Sequence, residues 1–222
     1  MQYLGDTAYL NGQLLPLAEA KVSPLDRGFL FGDGAYEVLP VYSRRPFRLT
    51  QHLKRLQQSL DGIQLANPYD LAGWTAIVEQ LVAANPWDDQ GIYLQVTRGA
   101  DVKRDHPFPA VVTPTVFGMS MPLVMPSAEV RERGIAAVTA TDTRWSRCDL
   151  KTTSLLANVL LRQQAVDAGA GETILLRDGL LTEGSAASVL IVSQGTLIAP
   201  PQSHLILPGV TYDVVLELAA QH

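Results

Sequence analysis

A two-domain protein of mixed α and β structure (α+β or α/β) is what this sequence predicts. Three observations carry the expectation: short strand-like runs recur along the chain, two helical stripes of apolar residues interrupt them, and a proline-bearing stretch divides the whole. An N-terminal α/β domain is expected over residues 1–120, a linker over 121–130, and a second domain over 131–222. A chain of 222 residues can bury a sizeable core, and 47% hydrophobic against 18% charged residues marks it as folded rather than disordered.

Ala8-Tyr9-Leu10, Asn11-Gly12 and Gln13-Leu14-Leu15 read as a hairpin, because Asn-Gly accepts the positive φ of a tight turn. Tyr36–Tyr42 reads as the next strand, turned back at Arg44-Arg45-Pro46 into Phe47-Arg48-Leu49. Thr50 is a candidate N-cap for a helix from Gln51 to Leu60 that closes at Asp61-Gly62. A second helix starts near Asp70, with Trp74, Ile77, Leu81 and Val82 on one stripe. Gly91–Arg98 and Val111–Met119 read as strands, and Met121–Glu129, with Pro122 and Pro126, as linker.

Beyond it, strands are expected at Ile135–Thr139 and Thr173–Leu176, a helix between them from Ser154 to Ala168, and a hairpin around Gln194-Gly195. The last segment, Val210 to His222, reads as a helix that starts after Pro208-Gly209 and in which the chain stops.

A net charge of −5 argues against a nucleic-acid binder. No apolar run is long enough to span a membrane, and none at the N-terminus looks like a signal peptide. The single cysteine, Cys148, excludes an intramolecular disulfide and fits a reducing compartment, so a cytoplasmic setting is expected. His52 and His204 lack ligand-like spacing, so no metal site is expected.

Only four residues are lysines: Lys21, Lys54, Lys103 and Lys151. Lys151, between Asp149-Leu150 and the hydroxyls of Thr152-Thr153-Ser154, is the candidate for an amine that forms a Schiff base. Glu183, before Gly184-Ser185 in an apolar stretch, is a candidate to hold a heterocyclic nitrogen in its protonated form, or else a buried carboxylate paired with an arginine. Arg55, one helical turn beyond His52, can bind phosphate in bidentate fashion. Gly209-Val210-Thr211 at a helix start offers free N–H groups, a hydroxyl and the positive end of the dipole. Arg104 and His106, two apart on a proline-closed loop, can grip a carboxylate together, and Tyr36 follows a glycine-rich run that lets backbone approach a ligand. Asp26-Arg27 reads as an ion pair fixing its turn, and Cys148 as a packed thiol. Taken singly, each of these residues also has an ordinary structural reading, as a solvated charge, a plain turn or a half-buried tyrosine.

In combination they resemble the fold-type IV (class IV) pyridoxal phosphate aminotransferases. The match rests on Asp26-Arg27-Gly28 with Phe31–Val38, on His52–Leu56, on Asp149-Leu150-Lys151, on Leu181–Ser185 and on Leu207–Thr211, in order over essentially the whole chain. Tyr93 with its neighbours, Arg104-x-His106 and Arg144–Asp149 look like the D-amino acid branch of that family.

The resemblance implies an N-terminal α/β domain and a C-terminal barrel-like domain with the site between them, in a homodimer. It implies that Lys151 forms the Schiff base with pyridoxal 5'-phosphate and shuttles the substrate proton, and that Glu183 binds the pyridine nitrogen. Arg55, Gly209, Val210 and Thr211 would hold the phosphate, and Leu207 would pack on the ring. Tyr36 and Tyr93, with Arg104 and His106 from the partner subunit, would bind the substrate. The activity implied is transamination between a D-amino acid and a 2-oxo acid by a ping-pong mechanism. The same fold serves branched-chain L-aminotransferases, (R)-amine transaminases and aminodeoxychorismate lyase, and the Arg-x-His loop favours the D-amino acid reading over these. A truncated, inactive cofactor-binding protein is the rival of another class. Two departures stand out. Ala187 and Ser188 replace the hydroxyl residue and asparagine common in the family. Relatives also continue for some tens of residues beyond His222, so an incomplete C-terminal domain is expected.

Overall fold

A computed structural model describes residues 4–221, and these divide into two compact units. The first takes in the chain up to Val124 together with Lys151–Ser154; the second takes in Met125–Leu150 and the chain from Leu155 on. The stretch read as linker holds the end of one strand, at Pro122, and the start of a short helix, at Ala128.

In the first unit β1 (Thr7–Leu10) and β2 (Gln13–Pro16) form the expected hairpin, with Asn11 and Gly12 at φ 48° and 97°. A short helix α1 (Arg27–Phe31) follows, then β3 (Gly34–Tyr42) and β4 (Arg45–Pro46), α2 (Leu49–Gly62), α3 (Leu71–Ala84), β5 (Gln90–Thr97) and β6 (Thr115–Pro122). The six strands form one sheet in the order β2-β1-β6-β5-β3-β4, antiparallel throughout. Ala35, Leu39 and Val41 alternate along β3 and are fully buried, packing with Leu56 and Leu60 of α2 and Leu81 of α3. Truncating one of those leucines to alanine would cost roughly 2–5 kcal/mol, since the lost contacts leave a cavity.

Three readings of this unit are corrected. Thr50 is not the N-cap of α2; the helix begins at Leu49 after Arg48, which sits in the left-handed region with no side-chain cap. Asp26 does not pair with Arg27: its carboxylate caps α1 at the Gly28 N–H and accepts from the Thr115 hydroxyl. Val111–Pro114 is not strand, so Arg98–Pro114 is a long loop, touched by the sheet pattern only through a bridge of Ala100 to Asp26.

The second unit holds α4 (Ala128–Arg133), β7 (Ala137–Thr141), α5 (Leu156–Asp167), β8 (Glu172–Arg177), β9 (Leu180–Gly184), β10 (Ile191–Ser193), β11 (Thr196–Ile198) and α6 (Val210–Ala219). β7 and β8 are parallel, joined through α5, and β9 adds antiparallel to β8; β10 and β11 form a separate hairpin about Gln194-Gly195. Leu161 and Ala165 of α5 are buried, as is Leu175 of β8, and the Thr173 hydroxyl donates to the Leu161 carbonyl. The last helix closes at Ala219 with Ala220 as its C-cap, short of the expected His222, which lies outside the described residues. Among the described residues no helix is long and apolar enough to cross a membrane.

Candidate active site

In the first unit the site is built on β3, whose pleat sends Tyr36 and Glu37 to opposite faces. Glu37 points into the core and is fully buried. Arg55 donates to it from Nε at 2.9 Å and from Nη2 at 2.5 Å, and the Nδ1 of His52 lies 3.0 Å from Oε1. An ionised carboxylate only accepts, so His52 carries its proton on Nδ1. Burial alone would push the Glu37 carboxyl up; the hydrogen bonds from His52 and Arg55 outweigh it and hold the carboxyl below its usual range.

Tyr36 faces the other way. Its ring stacks on that of Tyr93 from β5, 5.6 Å between centroids, and the Nζ of Lys151 lies 4.1 Å from its centroid. The Tyr93 hydroxyl donates to Gln95 at 2.6 Å, and burial followed by proximity to Tyr36 pushes the phenol up to about 12. Lys151 is fixed through its main chain: its N–H donates to the Ser59 hydroxyl and its carbonyl accepts from the Tyr36 N–H. Thr152 bridges to Ala35, and the N–H and hydroxyl of Thr153 donate to the Gly34 and Gly32 carbonyls. Gly32 sits at φ 67°, and a Cβ there would come 2.5 Å from the Ser154 hydroxyl, so this approach requires glycine.

The loop Arg98–Pro114 carries Arg104 and His106, both exposed. Both side chains lie against Phe31 of α1, the Arg104 guanidinium 5.0 Å and the His106 ring 5.3 Å from its centroid.

In the second unit Glu183 lies on β9, nearly buried. One oxygen accepts from Arg144 in a very close ion pair, and the other accepts the Leu207 N–H at 3.2 Å. Burial pushes its carboxyl up, against the pull of Arg144 and of that amide. Arg144 also chelates Asp142 at 2.9 Å from Nε and from Nη2, and Asp142 accepts from Arg177 and Thr182 as well. Burial opposes the charge on Asp142, but Arg144 prevails and holds the carboxyl down at about 2. Val210 and Thr211 begin α6, whose N-cap, Gly209, provides no side-chain cap. A Cβ on Gly209 would come 2.8 Å from the Ser188 hydroxyl, so glycine keeps this helix start open. Cys148 is buried and donates to the Trp145 carbonyl, a packed thiol as expected.

The structure thus brings Lys151, Tyr36 and Tyr93 together in one unit, and Glu183 and Leu207 together in the other. Residues that sequence reasoning gave no role now have partners: Glu37 and His52 behind Arg55, Ser59 behind Lys151, and Arg144 with Asp142 behind Glu183. One signal in the sequence could have revealed Glu37, since it occupies an inward position between Ala35 and Leu39 where an unpaired charge would be costly.

Known proteins resemble this chain in both sequence and fold. The family model for amino-transferase class IV matches residues 34–222. The D-alanine aminotransferase of Bacillus licheniformis is 40% identical over 212 residues, covering 96% of this chain and 74% of that protein. That of Staphylococcus haemolyticus is 38% identical over 208 residues, covering 93% of this chain and 73% of that protein. Among solved structures, the branched-chain amino acid aminotransferase of Escherichia coli superposes with a TM-score of 0.90 at 24% identity, over 98% of this chain and 75% of that one. A hypothetical aminotransferase from Mycobacterium tuberculosis, in its PLP-bound form, gives 0.83 at 27% identity, over 97% and 78%. The match in sequence, fold and motif order places the chain in a single family: it is a class IV amino-transferase.

Proposed function

We propose that this chain moves an amino group between a D-amino acid and a 2-oxo acid, using pyridoxal phosphate. The observation that carries the reading is the setting of Lys151, whose amine lies over Tyr36 on a main chain held at both its N–H and its carbonyl. The choice of a D-amino acid draws on the D-alanine aminotransferases of Bacillus and Staphylococcus and on the Arg104-x-His106 pair.

The residues present fit the cofactor. A buried carboxylate braced by a guanidinium and a main-chain amide, as Glu183 is, suits a ring nitrogen that carries a proton. An open helix start at Gly209 suits a phosphate. When bound, pyridoxal phosphate supplies an aldehyde for the amino group and a ring that draws electrons from the substrate α-carbon.

The chain's own residues then divide the work. Lys151 would take the proton from the substrate α-carbon as general base and hand it back within the same half-reaction; the first oxo acid leaves before the second binds, which yields ping-pong kinetics. Glu183 would hold the protonated ring nitrogen, and Leu207, whose N–H it accepts, would line the same place. Arg55, oriented by Glu37, binds the phosphate with Gly209, Val210 and Thr211. Tyr36, backed by Tyr93, meets the substrate α-carboxylate together with Arg104 and His106 of the partner subunit in a homodimer. A cytoplasmic setting and small-molecule partners belong to the same reading, supported by the lone buried cysteine and the net charge of −5.

Borohydride reduction of the cofactor-loaded protein, followed by peptide mass spectrometry, should place the label on Lys151. D-alanine should bleach the visible absorption band of the loaded protein, and L-alanine should not. Bleaching by L-leucine in place of D-alanine would overturn the D-amino acid assignment, and a label elsewhere than Lys151 would overturn the whole reading.

A further inference from the structure

The loop that carries Arg104 and His106 has no helix or strand of its own, yet it is tied down at its middle. Arg27, buried on α1, donates from Nη1 to the carbonyls of Asp105 at 2.6 Å and Pro107 at 3.3 Å, and from Nη2 to that of His106 at 3.0 Å. Its Nε donates to Asp33 at 2.8 Å. The same oxygen of Asp33 accepts from Nε of Arg98 at 2.9 Å, whose two remaining nitrogens donate to the carbonyls of Gln64 and Ile63. The Arg98 guanidinium in turn lies 3.7 Å from the centroid of Phe108.

Three consecutive carbonyls converging on one guanidinium fix the main chain on both sides of His106. Once the main chain is fixed, so are the directions in which the side chains of residues 104 and 106 leave it. A guanidinium can do this because its donors form a rigid planar fork; a lysine ammonium is a compact charge that cannot face Asp33 and three carbonyls in the same geometry. Two guanidiniums share one carboxylate oxygen, so the cluster carries excess positive charge, which the five carbonyl oxygens around it help to offset. Phe108 closes the clamp from the far end, and its ring is half-exposed rather than part of the core.

We propose that Arg27 and Arg98, joined through Asp33, are positioning residues that pre-set the Arg104 and His106 pair for the substrate α-carboxylate without touching the substrate. The inference rests on the carboxylate-binding reading of that pair given above. A pair held in place binds without the cost of ordering the loop, so loosening the clamp acts on substrate affinity before it acts on the chemical step.

The test compares Arg27→Lys, Phe108→Ala and Phe108→Tyr with an Arg104→Ala/His106→Ala reference, all as full-length holoenzymes, by steady-state kinetics with D-alanine and by thermal melting. Arg27→Lys and Phe108→Ala should raise KM for D-alanine on the order of ten- to a hundredfold with kcat nearly unchanged. Phe108→Tyr, which keeps the stack on Arg98, should restore KM. A general structural defect would instead lower the melting temperature and the amount of active enzyme without this split. If the reference raises KM while Arg27→Lys and Phe108→Ala leave it at the wild-type value, the positioning role is overturned and the carboxylate reading stands. If the reference itself leaves KM unchanged, the carboxylate reading falls and the proposal with it. Should Arg27→Lys fail to fold, Phe108→Ala decides the matter, because its side chain lies on the surface of the loop.

Discussion

Glu37 takes two hydrogen bonds from the one guanidinium of Arg55, at 2.9 Å from Nε and 2.5 Å from Nη2, on a carboxylate with no exposed surface. Desolvating such a pair is costly, and the geometry recovers that cost only while both charges are present. Glu37→Gln removes the negative charge that faces Arg55 and His52. It should lower stability by about 3–5 kcal/mol, read as a shift of the urea midpoint at unchanged slope. A midpoint within experimental error of wild type would show that the pair is not the brace described here.

The acid limb of the stability curve follows from the same carboxylates. Glu37 and Asp142 both have folded-state values below their usual ones, Asp142 at about 2. Their contribution is therefore fully present above the ordinary carboxylate range and is lost as pH falls through the folded values. Melting temperature should fall steeply as pH drops from the ordinary carboxylate range toward about 2. The Glu37→Gln variant should show a shallower fall, and an equal slope in both proteins would contradict the assignment to Glu37.

Lys151 is held by two main-chain hydrogen bonds, and its amine adds a contact over the Tyr36 ring, so removing the amine should largely spare the fold. Lys151→Ala should keep the wild-type circular dichroism and melting profile while transamination drops by roughly a hundred- to ten-thousandfold, the range for losing a positioned general base. Unfolding of the variant would mean that the amine contributes to structure after all.

Cys148 is buried, and burial pushes its thiol up, so little thiolate is available at neutral pH. A thiol reagent such as Ellman's should react slowly with the native protein and rapidly in denaturant. Prompt stoichiometric reaction under native conditions would place the sulfur elsewhere.

What is legible in the sequence is local. Asn11-Gly12 announces its own turn, because the positive φ values are demanded within two residues. Asp70 caps α3 as acidic N-caps do, with its carboxylate on the Gly73 N–H. The start of α2 is hidden because Arg48, not a capping residue, takes the left-handed turn, and a side-chain preference cannot foresee that. The five residues of α1 are too few to show a helical period. The sheet places β1 beside β6, with Ala8 opposite Met119, and nothing local in either segment encodes that pairing. The site divides the same way. Lys151, Glu183 and Arg55 stand out by residue type in motif, whereas their supports come from other elements: Ser59 from α2, Arg144 from the turn after β7, and Glu37 from β3. The partner of Arg27 is hidden for the same reason, since Asp26 is nearest in sequence but Asp33 is the carboxylate that its guanidinium reaches.

Lys151–Ser154 belongs to the first unit, although the chain on both sides belongs to the second. During synthesis, then, the first unit cannot be finished when Val124 leaves the ribosome. The start of β3 has no Thr152 to bridge, and the Ser59 hydroxyl no Lys151 amide to accept, until the chain has grown beyond residue 154. A segment ending at Val124 would lack the lysine, and a segment running on from Met125 would carry it without the Ser59 hydroxyl and the Tyr36 amide that hold its main chain.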